Sequence, residues 1–229
     1  LDMAFAQLRR RPVPLDSGHL RILDIGCGTG AQTIQLAKYT GETVMAVDNH
    51  QPYLDELARR AAAEGVSGRI LPRIGDMHAL GMDSEFFDIV WAEGCLFVMG
   101  FSEGLAACHD LLVQGGILGA SEMVWLRDDP PKECRDYFGE TYPALTGIEP
   151  NLETIRRAGF EVAGHFILPD SSWLIPFYEP LEKRLESLRP ECAGDEEKLG
   201  LIDAIHYEID IFRKYSAYFG YMFSVMQRR

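Results

Sequence analysis

Acidic side chains recur at the ends of short apolar runs in the first part of this chain. Asp24 lies in Ile22-Leu23-Asp24-Ile25, Asp48 follows Ala46-Val47, Asp76 follows Ile74-Gly75, Glu93 follows Trp91-Ala92, and Glu122 closes Ile117–Met123. The first leads into Gly26-Cys27-Gly28-Thr29-Gly30, with glycine at every second position. Such spacing lets the backbone bend sharply and lets a ligand approach the main chain. A carboxylate at a strand tip can accept both hydroxyls of a ribose, and Asp48 is placed for that contact, with the base continuing toward the next strand. One acid so placed is as often a plain surface residue as a functional one. Acids at the ends of successive runs point instead to a nucleoside-type ligand. Read as Gly26-x-Gly28-x-x-Ala31, the turn also fits a dinucleotide fingerprint, with Asp48 about twenty residues further on.

These side chains need a scaffold that brings strand ends to one edge. The pattern predicts strands at Arg21–Ile25, Glu42–Val47, Arg69–Ile74, Phe87–Ala92, Ile117–Met123, Phe160–Leu168 and Tyr218–Met226. Between them, helical periodicity starts at Ala31, at Pro52 (a favoured first-turn residue) and at Ser102, a cap for a helix that Gly115-Gly116 stops. Asn151 is expected to cap a short helix ending at Gly159, and Glu196–Tyr215 to form a long one with Leu201, Ile202, Ile205, Ile209 and Phe212 on one face. Strands alternating with helices imply an α/β fold with a parallel sheet. Trp125–Glu149 and Pro169–Pro190, rich in proline and aromatic residues, break the alternation; insertions of this kind shape substrate pockets.

Read as Asp24-x-Gly26-x-Gly28-x-Gly30, the turn resembles motif I of the class I S-adenosylmethionine-dependent methyltransferases. That reading uses Asp24 and Gly30, which the dinucleotide pattern leaves idle. Gly75-Asp76-Met77 is similar to the family's adenine-contacting segment, and Leu111–Leu118 to its turn before strand 5, with Gln114-Gly115 in place of Pro-Gly. His165–Pro169 with Trp173, and Tyr215–Tyr221, resemble a bacterial small-molecule-type group. The resemblance implies a Rossmann-like, doubly wound seven-stranded sheet, mostly parallel, with helices on both faces and an antiparallel last strand between strands 5 and 6. It implies a single methyltransferase domain over 1–229, a cofactor-binding core at about 20–125, and substrate-shaping insertions at about 125–150 and 169–195. S-adenosyl-L-methionine is the implied cofactor and S-adenosyl-L-homocysteine its product. Gly26, Gly28, Gly30 and Asp24 would hold the methionine portion, Asp48 and Asn49 the ribose, Asp76 and Met77 the adenine, and Glu93 and Gly94 would border the sulfonium.

Methyl transfer from a sulfonium is an in-line displacement in which alignment and exclusion of water supply much of the rate, so no fixed catalytic motif is required. Glu93 is the candidate catalytic base; Glu122, His165 and His206 are weaker, since a lone histidine in a strand or helix is more often packed or on the surface. Phe97, Trp125, Tyr142, Trp173 and Tyr178, with His165, form the candidate substrate pocket, although each ring could equally be core.

The formal charge of −13 disfavours a nucleic-acid partner, which needs clustered Lys and Arg, and leaves a small-molecule methyl acceptor at O or N as the expected partner, with a homodimer left open. The five cysteines show no CxxC or Cys/His ligand spacing; no metal is expected, and reduced thiols suit a cytoplasmic protein. No run is long enough to span a membrane, and the segment with Arg9-Arg10-Arg11 lacks the apolar stretch of a signal peptide. The chain starts at Leu1 with no initiator Met, so upstream residues are expected to be missing. Two competing functions are a nicotinamide-dependent oxidoreductase, for which no Tyr-x-x-x-Lys signature is found, and a non-catalytic S-adenosylmethionine-binding protein.

Overall fold

The computed structural model describes residues 19–229, and the Arg9-Arg10-Arg11 cluster falls outside them. Strand β1 (Ile22–Ile25) is buried at every position, as a central strand covered on both faces must be. Helix α1 (Ala31–Thr40) runs between Gly30 and Gly41, both left-handed, and buries Thr33, Ile34, Leu36 and Ala37, a one-sided helical spacing. Next come β2 (Val44–Asp48) and α2 (Gln51–Ala63), which carries Pro52 in its first turn and buries Leu54, Leu57 and Ala61. Then follow β3 (Ile70–Ile74), β4 (Phe87–Glu93), α3 (Phe101–Leu111) and β5 (Leu112–Trp125). The remainder is α4 (Lys132–Thr141), β6 (Thr146–Gly147), α5 (Ile148–Arg157), β7 (Phe160–Ile167), α6 (Glu179–Leu188), α7 (Glu196–Tyr215) and β8 (Phe219–Arg228).

The sheet order is β3-β2-β1-β4-β5-β8-β7, with the two-residue β6 pairing off this path against the end of β5. Pairs among β1 to β5 are parallel. Strand β8 lies antiparallel to β5, because Arg228 bonds the Leu112 carbonyl at one end and the Leu126 N–H reaches the Tyr218 carbonyl at the other. The expected insertion of a reversed last strand between the fifth strand and its outer neighbour is therefore present. From β1 the chain winds outward through β2 and β3, then crosses to β4 on the other side. The switch point thus falls between β1 and β4.

Several local expectations are corrected. Gly100, not Ser102, precedes α3, and α3 passes directly into β5 at Leu112. Gly115-Gly116 does not stop a helix. It lies in a bulge of β5, where pairing jumps from Phe87↔Leu112 to Ile89↔Ile117, and a Cβ on Gly116 would approach the Val113 carbonyl to 2.9 Å. Asn151 is a buried residue inside α5 rather than its cap. Glu122 is interior to β5, not at its tip, because the strand continues to Trp125.

By contact density the chain forms two compact units: residues 1–122, 149–166 and 222–229 in the first, and 123–148 and 167–221 in the second. The first unit has its core along the sheet, with Trp91 fully buried and its ring 5.0 Å from that of Phe223. The second has a core of its own around Phe138, Ile209, Phe212 and Phe219. In it a short helical turn (Ser171–Trp173) leads through π-helical Leu174–Tyr178 into α6. Helix α7 starts at Asp195, whose Oδ1 accepts the Lys198 N–H at 3.1 Å, and it buries Ile202, Ile209, Ile211, Phe212 and Tyr215. Leu201, expected on its apolar face, is 63% exposed. Among the described residues no helix is long and apolar enough to cross a membrane, and no group of three or more metal-ligating side chains occurs.

Candidate functional site

The expected cofactor residues all lie in the first unit, at the carboxyl ends of β1 to β4 and in the loops that follow. The glycine turn is fastened to β2 by two bonds. The Cys27 N–H donates to the Val47 carbonyl at 3.0 Å, and the Gly28 N–H donates to Asp48 Oδ2 at 2.9 Å. Asp48 Oδ1 accepts the His50 N–H at 2.9 Å. Each carboxylate oxygen can accept about two bonds, so Asp48 keeps capacity for further donors while half-buried. Asn49, next to it, is exposed.

The glycines of the turn have different reasons to be glycine. A Cβ on Gly26 would stand 2.7 Å from Cys95 Cβ, and one on Gly30 would stand 2.0 Å from Leu57 Cδ1; both positions are packing constraints. At Gly28, with φ at +53°, a Cβ would meet nothing within 4 Å. Only Gly28 of the three faces open space, an open cradle in which a ligand can reach the main chain.

Asp24 is 2% exposed. Its Oδ2 accepts the Thr33 hydroxyl at 2.6 Å, and its Oδ1 has no partner among the described residues. Burial pushes this carboxyl up from 3.8 to about 7, against the Thr33 bond, and the neighbouring Glu93 and Asp48 carboxylates add to the rise. Glu93, at the end of β4, is half-buried and held by two neutral donors. The Trp91 indole N–H reaches Oε1 at 2.7 Å and the Gln32 amide reaches Oε2 at 3.1 Å. Burial raises its pKa, and these two bonds oppose the rise. The Gly94 N–H donates to the Ser121 hydroxyl at 2.9 Å. Beyond β3, Asp76 caps a short 3-10 turn, its Oδ1 accepting the His78 N–H at 2.9 Å; that bond lowers its pKa, and Oδ2 makes no hydrogen bond to a described residue. Met77 is partly exposed.

The structure thus brings Asp24, Gly26, Gly28, Gly30, Asp48, Glu93 and Gly94 together around one turn, with Asp76 and Met77 in the next loop. Their partners Gln32, Thr33, Trp91 and Ser121 were not anticipated; the only signal for Gln32 and Thr33 was their place in the first turn after the glycines. Cys27 and Cys95 are raised by burial, which leaves them neutral thiols rather than nucleophiles.

The substrate-pocket candidates are divided between the units. In the first, Phe97 is 50% exposed and His165 is exposed on β7. In the second, Tyr178 is core, its hydroxyl donating to Glu208 Oε1 at 3.0 Å, and Trp125, Tyr142 and Trp173 pack half-buried against that core. Trp173 stacks on Tyr221 at 3.9 Å between ring centroids. His206 contacts the Ile202 carbonyl of its own helix at 3.0 Å, a structural placement.

Residues 22–116 match the family model described as a methyltransferase domain. This span runs from β1 into the bulge of β5 and contains every cofactor-binding candidate. Sterol 24-C-methyltransferase of Neurospora crassa is 26% identical over 180 residues, 74% of this chain and 47% of that protein. The chain spans about half the length of the curated relatives it matches. Among solved structures, a SAM-dependent methyltransferase from Thiobacillus denitrificans in complex with S-adenosyl-L-homocysteine superposes with a TM-score of 0.80 at 21% identity, covering 100% of this chain and 92% of that one. The [4+2]-cyclase SpnF superposes with a TM-score of 0.72 at 24% identity, covering 99% and 80%. These structures share the fold. With the matched domain and the glycine turn at the switch point, they lead to one assignment: residues 22–116 match a methyltransferase domain, on a fold shared with S-adenosylmethionine-dependent methyltransferases.

Proposed function

We propose that this chain transfers a methyl group from S-adenosylmethionine to a small-molecule acceptor by in-line displacement. The observation that carries the reading is the open cradle at Gly28 beside two incompletely bonded acids, Asp24 and Asp48, at the switch point of the sheet. These residues fit the cofactor. Asp48, with Asn49, would take the ribose hydroxyls, Asp76 and Met77 the adenine, the turn and Asp24 the methionine portion, and Glu93 and Gly94 the reacting side. When bound, the cofactor supplies a methyl group on a positively charged sulfur, an excellent leaving group. The chain's own residues orient it and exclude water: Asp24 is withdrawn from solvent, and Gln32 and Trp91 fix the half-buried Glu93. A proton leaving an acceptor hydroxyl or amine would pass to Glu93, whose pKa burial raises above that of an ordinary glutamate, making it a stronger base.

For the acceptor, an oxygen or nitrogen nucleophile on an apolar body is the preferred reading. The aromatic side chains Phe97, Trp125, Tyr142 and Trp173 support it. The likeness to sterol 24-C-methyltransferases adds carbon as an acceptor atom. The second unit, made of the aromatic insertions, is proposed to select the acceptor. A cytoplasmic setting is supported by the free cysteines, and a partner other than nucleic acid by the charge of −13.

The test is isothermal titration calorimetry with S-adenosylmethionine and S-adenosylhomocysteine. Micromolar-range binding is expected, and Asp48→Ala should weaken it more than about tenfold, the loss of a charged hydrogen-bonding partner. Absence of binding by a folded protein, or binding of NADH in its place, overturns the reading. Binding without turnover across a panel of phenols, amines, carboxylates and sterols removes the transfer activity and leaves a cofactor-binding protein.

A further inference from the structure

Helix α2 sends an arginine across to the glycine turn instead of pairing it on its own surface. Arg60 has Glu56 four residues before it and Glu64 four residues after it, the spacing at which a helix pairs unlike charges. It bonds neither acid. Glu56 is bonded by Arg59 at 2.6 Å and Glu64 by Lys38 at 2.6 Å. Arg60, half-buried, reaches Thr29: its Nη1 donates to the Thr29 carbonyl at 3.1 Å and to the Thr29 hydroxyl at 3.0 Å. Hydrogen bonds with one charged partner are about twice as strong as neutral ones, so the grip is a firm one.

Its effect falls on one peptide plane. The Thr29–Gly30 peptide is held at both ends, its carbonyl by Arg60 and its N–H by the Cys27 carbonyl at 2.9 Å. On the other side of Gly28, the Cys27–Gly28 peptide is held through its N–H by Asp48 at 2.9 Å. Gly28 itself has φ at +53° and no neighbour within 4 Å of a Cβ built on it, so packing does not fix its conformation. The peptides on either side must do so. One helical turn before Arg60, Leu57 fills the space of the absent Gly30 Cβ. Helix α2 thus supports the turn twice, by volume at Gly30 and by hydrogen bonds at Thr29.

We propose that Arg60 is a positioning residue for the cofactor: by gripping Thr29 it sets the Gly28 cradle in its binding shape before the ligand arrives. The proposal rests on the cofactor reading above. A loop ordered in advance does not charge its ordering entropy to the binding step, so affinity rises without any new contact to the ligand. Without the grip, Gly28 samples more backbone states in the free protein, and the ligand must select among them. Donor and product carry the same adenine, ribose and amino acid, so both gain equally from a preformed turn.

The experiment is calorimetric titration of the wild type, Arg60→Met, Arg60→Lys, Thr29→Val and the Arg60→Met/Thr29→Val double variant. The ligands are S-adenosylmethionine and S-adenosylhomocysteine, and urea unfolding of each protein runs alongside. Arg60→Met keeps most of the apolar stem and should weaken both ligands by roughly tenfold. Arg60→Lys, which keeps the charge but lacks the planar fork, should recover part of that loss. Thr29→Val removes one acceptor without changing shape and should weaken both ligands about threefold. The double variant should bind about as weakly as Arg60→Met alone, because the hydroxyl acts through the guanidinium.

A lowered unfolding midpoint with unchanged ligand affinity is the mark of a merely structural contact, and it overturns the proposal. So do an Arg60→Lys protein as weak as Arg60→Met, and losses that multiply independently in the double variant. Should Arg60→Met fail to fold, unchanged affinity in Thr29→Val still overturns it. Wild-type protein that binds neither ligand refutes the cofactor reading, and this proposal with it. Wild-type binding that the variants leave unchanged refutes this proposal alone.

Discussion

Asp24 shows how strongly one residue's setting governs its chemistry. In an exposed loop its carboxyl would be ionised throughout the physiological range. Here burial beneath the glycine turn keeps it protonated up to about pH 7, against an ordinary value of 3.8. The folded state therefore holds this proton more tightly than the unfolded chain does. Between about pH 4 and about pH 7 unfolding releases a proton, so Asp24's contribution to stability is full at the acid end of that window and lost as pH rises through it. Urea unfolding at pH 5, 6, 7 and 8 should show wild-type stability declining relative to Asp24→Asn across the series. Parallel curves for the two proteins would contradict the assignment. The residues that seat Asp24 and Glu93 were not legible from the sequence, because Thr33 lies 9 positions from its partner and Gln32 61 positions from its own. Spacing within a motif identifies the acids, but a chain-distant donor becomes visible only when the strands are laid side by side.

At the scale of elements, the glycine turn separates two effects that its spacing merges. Gly30 precedes α1 with φ at +80°, and its missing Cβ is the space that Leu57 of α2 fills. Gly28 has a positive φ but no neighbour. Gly30→Ala is therefore expected to destabilise the fold by about 2 kcal/mol or more through overpacking and backbone strain. Gly28→Ala should cost about 1 kcal/mol from backbone strain alone, yet abolish measurable cofactor binding by filling the cradle. Chemical denaturation and calorimetry on the same two variants check this; equal stability losses, or normal binding by Gly28→Ala, would be the contrary result. The same contrast explains what could be read in advance. Strands β1 to β4 announce themselves as apolar runs ending at or near an acid, and α7 by its periodicity. The bulge at Gly115-Gly116 could not be read, since it is a mismatch in pairing with β4 and exists only in relation to that partner. The π-helical turn at Leu174–Tyr178 is equally silent, because it lies within Pro169–Pro190, whose proline and aromatic residues show only a break in the alternation.

For the molecule as a whole, charge sets the balance. The chain carries −13, while most ion pairs among the described residues, such as Lys38–Glu64 and Arg59–Glu56, are solvent-exposed and contribute little. Net repulsion should therefore outweigh the pairs, and screening should favour the folded state. The melting temperature is expected to rise by roughly a few degrees between 20 and 300 mM NaCl, within the span over which the Debye length shrinks below ~10 Å. A fall in melting temperature would mean that the pairs dominate. The two units each carry their own core, and the sheet-bearing one holds the cofactor candidates entirely. The aromatic second unit explains why the acceptor stayed unread: pocket rings and core rings are the same residue types, and Tyr178 proves to be core.

The bond from the Trp91 indole to Glu93 has a spectroscopic consequence. Trp91 is one of three tryptophans, is fully shielded from water, and donates directly to the carboxylate beside the cradle. The other two, Trp125 and Trp173, both belong to the second unit. A chain with those two replaced by phenylalanine would emit from one indole alone, whose excited-state dipole senses the charge on Glu93. The protein thus carries a native fluorophore wired to its own electrostatic centre, able to report occupancy and protonation there without any added label.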